Sequence, residues 1–127
     1  MTMRIKKRLL CPERVRRVPN QFSWIDQRLV REHYMERCTT HALALYLFLL
    51  TVGDAEGLSF YSDSTIAKLI SLDVIAVQEA RRVLISAELI AYQAPLFQVL
   101  SLNSSVPRRR ANGPASIGEI LKAGGVR

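Results

Sequence analysis

Cysteine is nearly absent from this sequence: Cys11 and Cys38 are the only two in 127 residues. They form no CxxC pair and suggest no disulfide framework, which favours a reducing, cytoplasmic setting. Long apolar runs are missing as well. The longest, Ala42 to Leu50, is about half of the roughly 20 residues that a membrane span needs. No membrane partner is therefore expected. The first residues are basic, but only Leu9-Leu10-Cys11 follows them, too little for a signal peptide. There is no Gly-rich phosphate loop, Ser/His/Asp set or ordered carboxylate pair, so neither catalysis nor a cofactor is expected. His33, Cys38 and His41 approach metal spacing, yet a zinc site needs a fourth ligand and only distant Cys11 is offered. Helix-end packing is the expected role of these three, with no metal.

Acidic residues are scarce at both ends of the chain. Lys and Arg number 18 against 11 Asp and Glu, for a net charge of +7. Residues 1–20 carry +6, residues 103–127 carry +4, and the middle carries −3. Basic ends on a near-neutral body suit a polyanionic partner, most often nucleic acid. Solubilising tails are the plainer alternative. The rest of the composition, 49% hydrophobic and 23% charged, is that of an ordinary soluble globular domain. The chain divides into a basic arm (1–21), a folded domain (22–102) and a flexible basic linker with a short helical motif (103–127).

Within the arm, RIKKR and RVRR alternate with prolines, and a short strand is expected at Arg14–Val18. "FSWID" opens the first expected helix. Ser23 is its cap, Asp26 stands at capping-box spacing, and it runs to about Arg37 with Ile25, Leu29, Val30 and Tyr34 inward. Phe22, Trp24 and Tyr34 are able to stack on bases, but aromatics at helical spacing read as core. Thr39 and Thr40 cap "THALALYLFLLTV", apolar nearly all round and thus expected at the domain centre. Leu58 to Tyr61 alternates as a strand. "YSDSTIAKLISLD" then holds a two-turn helix capped by Ser62 or Asp63, with Ile66, Ala67, Leu69 and Ile70 on one face. Ser71 and Asp73 cap again. A longer helix follows, from Val74 to about Ala87, with Val77, Ala80, Leu84 and Ala87 as its inward stripe. "LIAYQ" and "LFQVLSL" form a hairpin tipped by Ala94-Pro95.

A short helix set across a longer one by a tight turn is a helix-turn-helix, whose second helix enters a major groove. The fold class expected is mainly α with a small β-hairpin: a winged helix-turn-helix with an extra N-terminal helix and basic arms. The stretch "ALYLFLLTVGDAEGLSFYSDSTIAKLISLDVIAVQEARRVLISAELIAYQ" resembles the winged-helix domains of bacterial transcription regulators. It is similar especially to the amino-terminal domains of plasmid and phage replication initiators, over about residues 38–102. Leu69, Leu72, Val77, Ala80, Leu84, Leu89 and Ile90 fit that pattern. Glu88 stands where such domains usually have glycine, which predicts a different cap. The hairpin tip has no Lys or Arg.

The resemblance implies double-stranded DNA as partner, in transcriptional control or in accessory work at a replication or mobile-element site. Base contacts fall to Val74, Ile75, Gln78, Glu79 and Arg82. Gln78 suits adenine, Arg82 guanine, Ile75 a thymine methyl, and Glu79 is able to accept from cytosine. Phosphate contacts fall to Ser62, Ser64, Lys68 and Arg81 on the domain. The arms add Arg4, Lys6, Lys7, Arg8, Arg14, Arg16 and Arg17 from one end and Arg108, Arg109 and Arg110 from the other. A protein adaptor docking through Ile75 and Glu79, or RNA binding through the arms, are the alternatives. In the tail, Ile117, Ile120 and Leu121 share one side of a potential short helix. They are expected to dock into a partner protein or a second copy.

Overall fold

Thr39 sets the start of the central helix, its hydroxyl accepting a hydrogen bond from Ala42 N at 3.2 Å. That satisfies one of the free N–H groups of the first turn. The helix is one of four in a computed structural model that describes residues 5–102. In chain order the elements are α1 (Arg28–Arg31), α2 (Thr40–Val52), β1 (Leu58–Phe60), α3 (Asp63–Ile70), α4 (Val74–Ser86), β2 (Ile90–Gln93) and β3 (Leu96–Val99). The architecture is helix-rich with one small antiparallel sheet of strand order β1-β3-β2.

The core lies where α2 crosses α4 and both meet the inner face of the sheet. Ala42, Leu45 and Leu49 of α2 meet Val77, Ala80 and Leu84 of α4, all essentially inaccessible, with Ile66 from α3 and Phe97 from β3. Each such Leu, Ile or Phe contributes roughly 1.5–3 kcal/mol by leaving water. The inward stripe expected for α4, Ala87 included, is buried throughout. The expectation for α2 needs correction, because its burial is not all round. Leu47 is 56% exposed and lines an open groove with Phe22, Ile25 and Leu50.

The turn from α3 to α4 follows from three residues. Ser62 caps α3 by accepting from Thr65 N at 3.1 Å. At the other end Ser71 takes a left-handed conformation, φ 61°, and Leu72 N donates to Ala67 O. This is the Schellman closure, which brings Leu72 back over the helix. Asp73 then caps α4, accepting from Ala76 N at 2.7 Å. Ser71 is therefore a helix-ending residue, not the second cap the sequence suggested. Leu69 is also displaced from its expected role: the short helix buries Ile66 and Ala67 and leaves Leu69 60% exposed.

Glu88 does not make a different cap. It holds φ 63° while its N–H donates to Ile85 O and Leu89 N donates to Leu84 O. This is the same left-handed ending a glycine forms, and it places Leu89 directly into the core. The hairpin β2–β3 pairs Ile90 with Val99 and Gln93 with Leu96 across Ala94-Pro95. β1 joins as the third strand, pairing Phe60 with Leu96 and Ser59 with Phe97.

The amino-terminal region departs most from expectation. The helix expected from Ser23 to Arg37 is reduced to the single turn of α1 and a 3-10 turn at Met35–Arg37. Ser23 caps nothing; its hydroxyl donates to Thr51 O at 3.3 Å, tying an irregular segment to α2. Asp26 binds Arg28 instead, through the backbone N–H at 2.9 Å and the guanidinium at 2.7 Å. That hydrogen bonding holds the Asp26 carboxyl below its ordinary range. Leu29 and Tyr34 are buried, but Phe22, Trp24, Ile25 and Val30 are exposed. The core reading of Phe22 and Trp24 is therefore corrected, and that of Tyr34 holds. No strand forms at Arg14–Val18; Pro12–Arg14 is a 3-10 turn, Val15 after it is extended, and no helix or strand follows before α1.

Candidate nucleic-acid interface

α4 sorts its residues by period. With Val77, Ala80 and Leu84 fixed inward, Val74, Ile75, Glu79 and Arg82 are left exposed and Gln78 half-buried at the margin. The five residues expected on base edges thus share the side of α4 away from the core. Ile75 is 67% exposed. Glu79 and Arg82 lie one turn apart with Nη1 3.7 Å from Oε2, a solvated pair worth a few tenths of a kcal/mol. Such a pair leaves Arg82 available to other acceptors.

Gln78 and Arg81 are engaged differently. Arg81 donates from Nη1 to Asp63 Oδ1 at 2.7 Å and from Nη2 to Oδ2 at 3.3 Å. Its guanidinium lies 4.2 Å from the Tyr92 ring centroid and 5.9 Å from that of Phe97. The side chain is only 14% exposed. Arg81 therefore clasps α3, α4 and the hairpin together, a bidentate ion pair on one side and a cation–π contact on the other. The phosphate role expected of Arg81 is corrected on this ground, since a phosphate would compete with a fixed, partly desolvated carboxylate. Gln78 Nε2 donates to the same carboxylate, 3.3 Å from Oδ2. The Asp63 carboxyl is held below its usual range, first by the Arg81 hydrogen bonds and then by Gln78, against the opposing effect of burial. Gln78, Arg81, Arg82 and Ile85 line an open depression of about 300 Å³.

Of the remaining phosphate candidates on the domain, Ser64 and Lys68 are exposed. Ser62 is exposed too, but its hydroxyl caps α3, donates to Thr65 Oγ1 at 2.9 Å and lies 3.2 Å from Ser64 Oγ. Lys6, Lys7, Arg8, Arg14, Arg16 and Arg17 all lie in the exposed arm. Among the described residues none of these six has an ion-pair partner. Arg4, Arg108, Arg109 and Arg110 lie outside the described residues, as do Ile117, Ile120 and Leu121 of the tail.

The outer face of the sheet carries no charge. Phe60, Leu96 and Gln93 form one cross-strand row, and Leu58, Gln98 and Ala91 the next. Phe60 is 69% exposed. Around the expected metal-like trio, His33 Nδ1 lies 2.6 Å from Glu36 Oε2. The Cys38 thiol faces Tyr34 O, and burial pushes its pKa up. Among the described residues no group of three or more His, Cys, Asp and Glu is placed to hold a metal ion, and no helix is long and apolar enough to cross a membrane.

Sequence reasoning missed Asp63 as anything but a possible cap, and missed Tyr92 entirely. No local pattern reveals either, because their partner Arg81 lies far along the chain and meets them only in the fold. No family model, curated protein or solved structure matches the chain.

Proposed function

We propose that this chain is a non-enzymatic, double-stranded DNA-binding protein of the winged-helix kind. In this reading α4 lies in the major groove and the basic arm tracks phosphates. The observation that carries it is the outer side of α4. A helix braced by a short partner across a three-residue turn presents an aliphatic, an amide and a guanidinium group, Ile75, Gln78 and Arg82, on one exposed side. These are the side-chain types that match a thymine methyl, adenine and guanine. The arm supplies the positive charge that the body lacks. Transcriptional control, or accessory work at a replication or mobile-element site, is the setting such a reader fits.

A second reading is favoured by a different observation. The uncharged outer sheet face, with Phe60 and Leu96 exposed, repels nothing apolar and grips no phosphate. A protein adaptor would use that face, or Ile75 and Glu79 on the outer side of α4, and hold nucleic acid, RNA included, only through its arms.

Salt dependence separates the contributions. Duplex affinity should fall by roughly 0.9 log unit per phosphate contact for each decade of salt. Removing residues 1–17, none of which is buried where described, should flatten that slope and leave the fold intact. An unchanged slope would make the arm a solubilising tail.

A further inference from the structure

Asp63 decides which way the Gln78 amide faces. A carboxylate accepts hydrogen bonds and does not donate, so the group turned towards Asp63 Oδ2, 3.3 Å away, is the amide nitrogen. The carboxylate does not swing to suit Gln78, because Arg81 grips both of its oxygens. Arg81 in turn is held over the Tyr92 ring. One N–H of Gln78 is thereby engaged inside the protein. Its carbonyl oxygen and second N–H have no partner among the described residues, and the side chain lines the open depression on the outer side of α4.

What remains is one donor and one acceptor. In the major groove adenine offers N7, an acceptor, and its N6 amino group, a donor. Guanine offers two acceptors, N7 and O6, and a match needs two donors. An amide with one N–H already engaged pairs with adenine and pairs poorly with guanine. We propose that Asp63, clamped by Arg81, is a specificity-determining positioning residue that sets the base read by Gln78 to adenine. The inference rests on the reading of α4 as the helix in the major groove.

The test is selection of bound fragments by the full chain from a pool of randomised duplexes, with thermal unfolding measured alongside. The wild-type protein should show a position where adenine exceeds guanine by about tenfold or more, and Gln78→Ala should abolish the preference there alone. Asp63→Asn should bring the adenine-to-guanine ratio at that position towards one, because an amide at 63 accepts either end of Gln78. Preferences at the other positions should persist. A purely structural Asp63 would lower affinity and melting temperature while leaving every base preference in place. If Asp63→Asn does not fold, Gln78→Glu carries the test. Repelled by Asp63, its carboxylate turns outward and should shift the preferred base from adenine to cytosine. Duplex binding whose preferences ignore both Asp63 and Gln78 overturns this inference and leaves the DNA reading standing. Absence of binding to any duplex overturns both.

Discussion

Ser71 and Glu88 hold left-handed backbone without being glycine, at φ 61° and 63°. For a residue with a Cβ this conformation costs about 1–2 kcal/mol. The Schellman hydrogen bonds and the seating of Leu72 and Leu89 against the core offset that cost at each helix end. Ser71 is exposed, so its side chain adds little to set against the strain. Ser71→Gly should stabilise the domain by about 0.5–1 kcal/mol, net of the entropy glycine adds to the unfolded chain. Chemical denaturation would measure it, and a loss of stability would mean the serine makes a contact of its own. Residue chemistry was partly legible in the sequence. The caps were legible to within a pair, Thr39 with Thr40, Ser62 with Asp63 and Asp73 with Ser71, because an N-cap acts on N–H groups two or three residues away. The second role of Asp63 did not, because it depends on a guanidinium 18 residues on.

At the level of elements, α2, α3, α4 and the hairpin stood out because period and punctuation agree. Apolar residues recur at helical spacing between real caps, and two β-rich runs flank a proline. The first helix misled because Ser23 and Asp26 have capping-box spacing but different partners, Thr51 O and Arg28. The apolar residues around them had no second layer to pack on. Phe22 and Ile25 instead edge a groove beside Leu47 of α2. The third strand was legible, its place in the sheet was not. That place depends on the loop after α2, where Asp54 Oδ1 accepts from the N–H groups of Glu56 and Leu58 at 2.9 Å. In the same loop Gly57 O accepts from Val99 N at 2.9 Å. Gly57 sits at φ +83°, and a Cβ there would lie 2.8 Å from Val99 O. Gly57→Ala should therefore cost about 2–4 kcal/mol, from strain plus the forced separation of β1 from β3. Thermal unfolding would register it, and a cost near zero would mean the loop relaxes freely.

Over the whole molecule, charge is divided. The middle of the chain carries −3 and holds the core, while the ends carry +6 and +4. That division was legible from counting alone. Where the exposed aromatics lie was not. Phe22 and Trp24, at 64% and 73% exposed, follow the basic arm directly in sequence, and Phe22 edges the groove beside Leu47. The outer sheet face, by contrast, is uncharged and lacks any feature for phosphate. A duplex on this protein should therefore touch the arm and α4 and leave the sheet alone. Backbone amide NMR of the full chain, titrated with a short mixed-sequence duplex, tests this most directly. If α4 lies in the groove and the arm on phosphates, shifts should saturate together across Lys6–Arg17 and at Ile75, Gln78 and Arg82, with Phe60, Ala91 and Leu96 unmoved. Shifts confined to the arm, with α4 silent at saturating duplex, would contradict that placement.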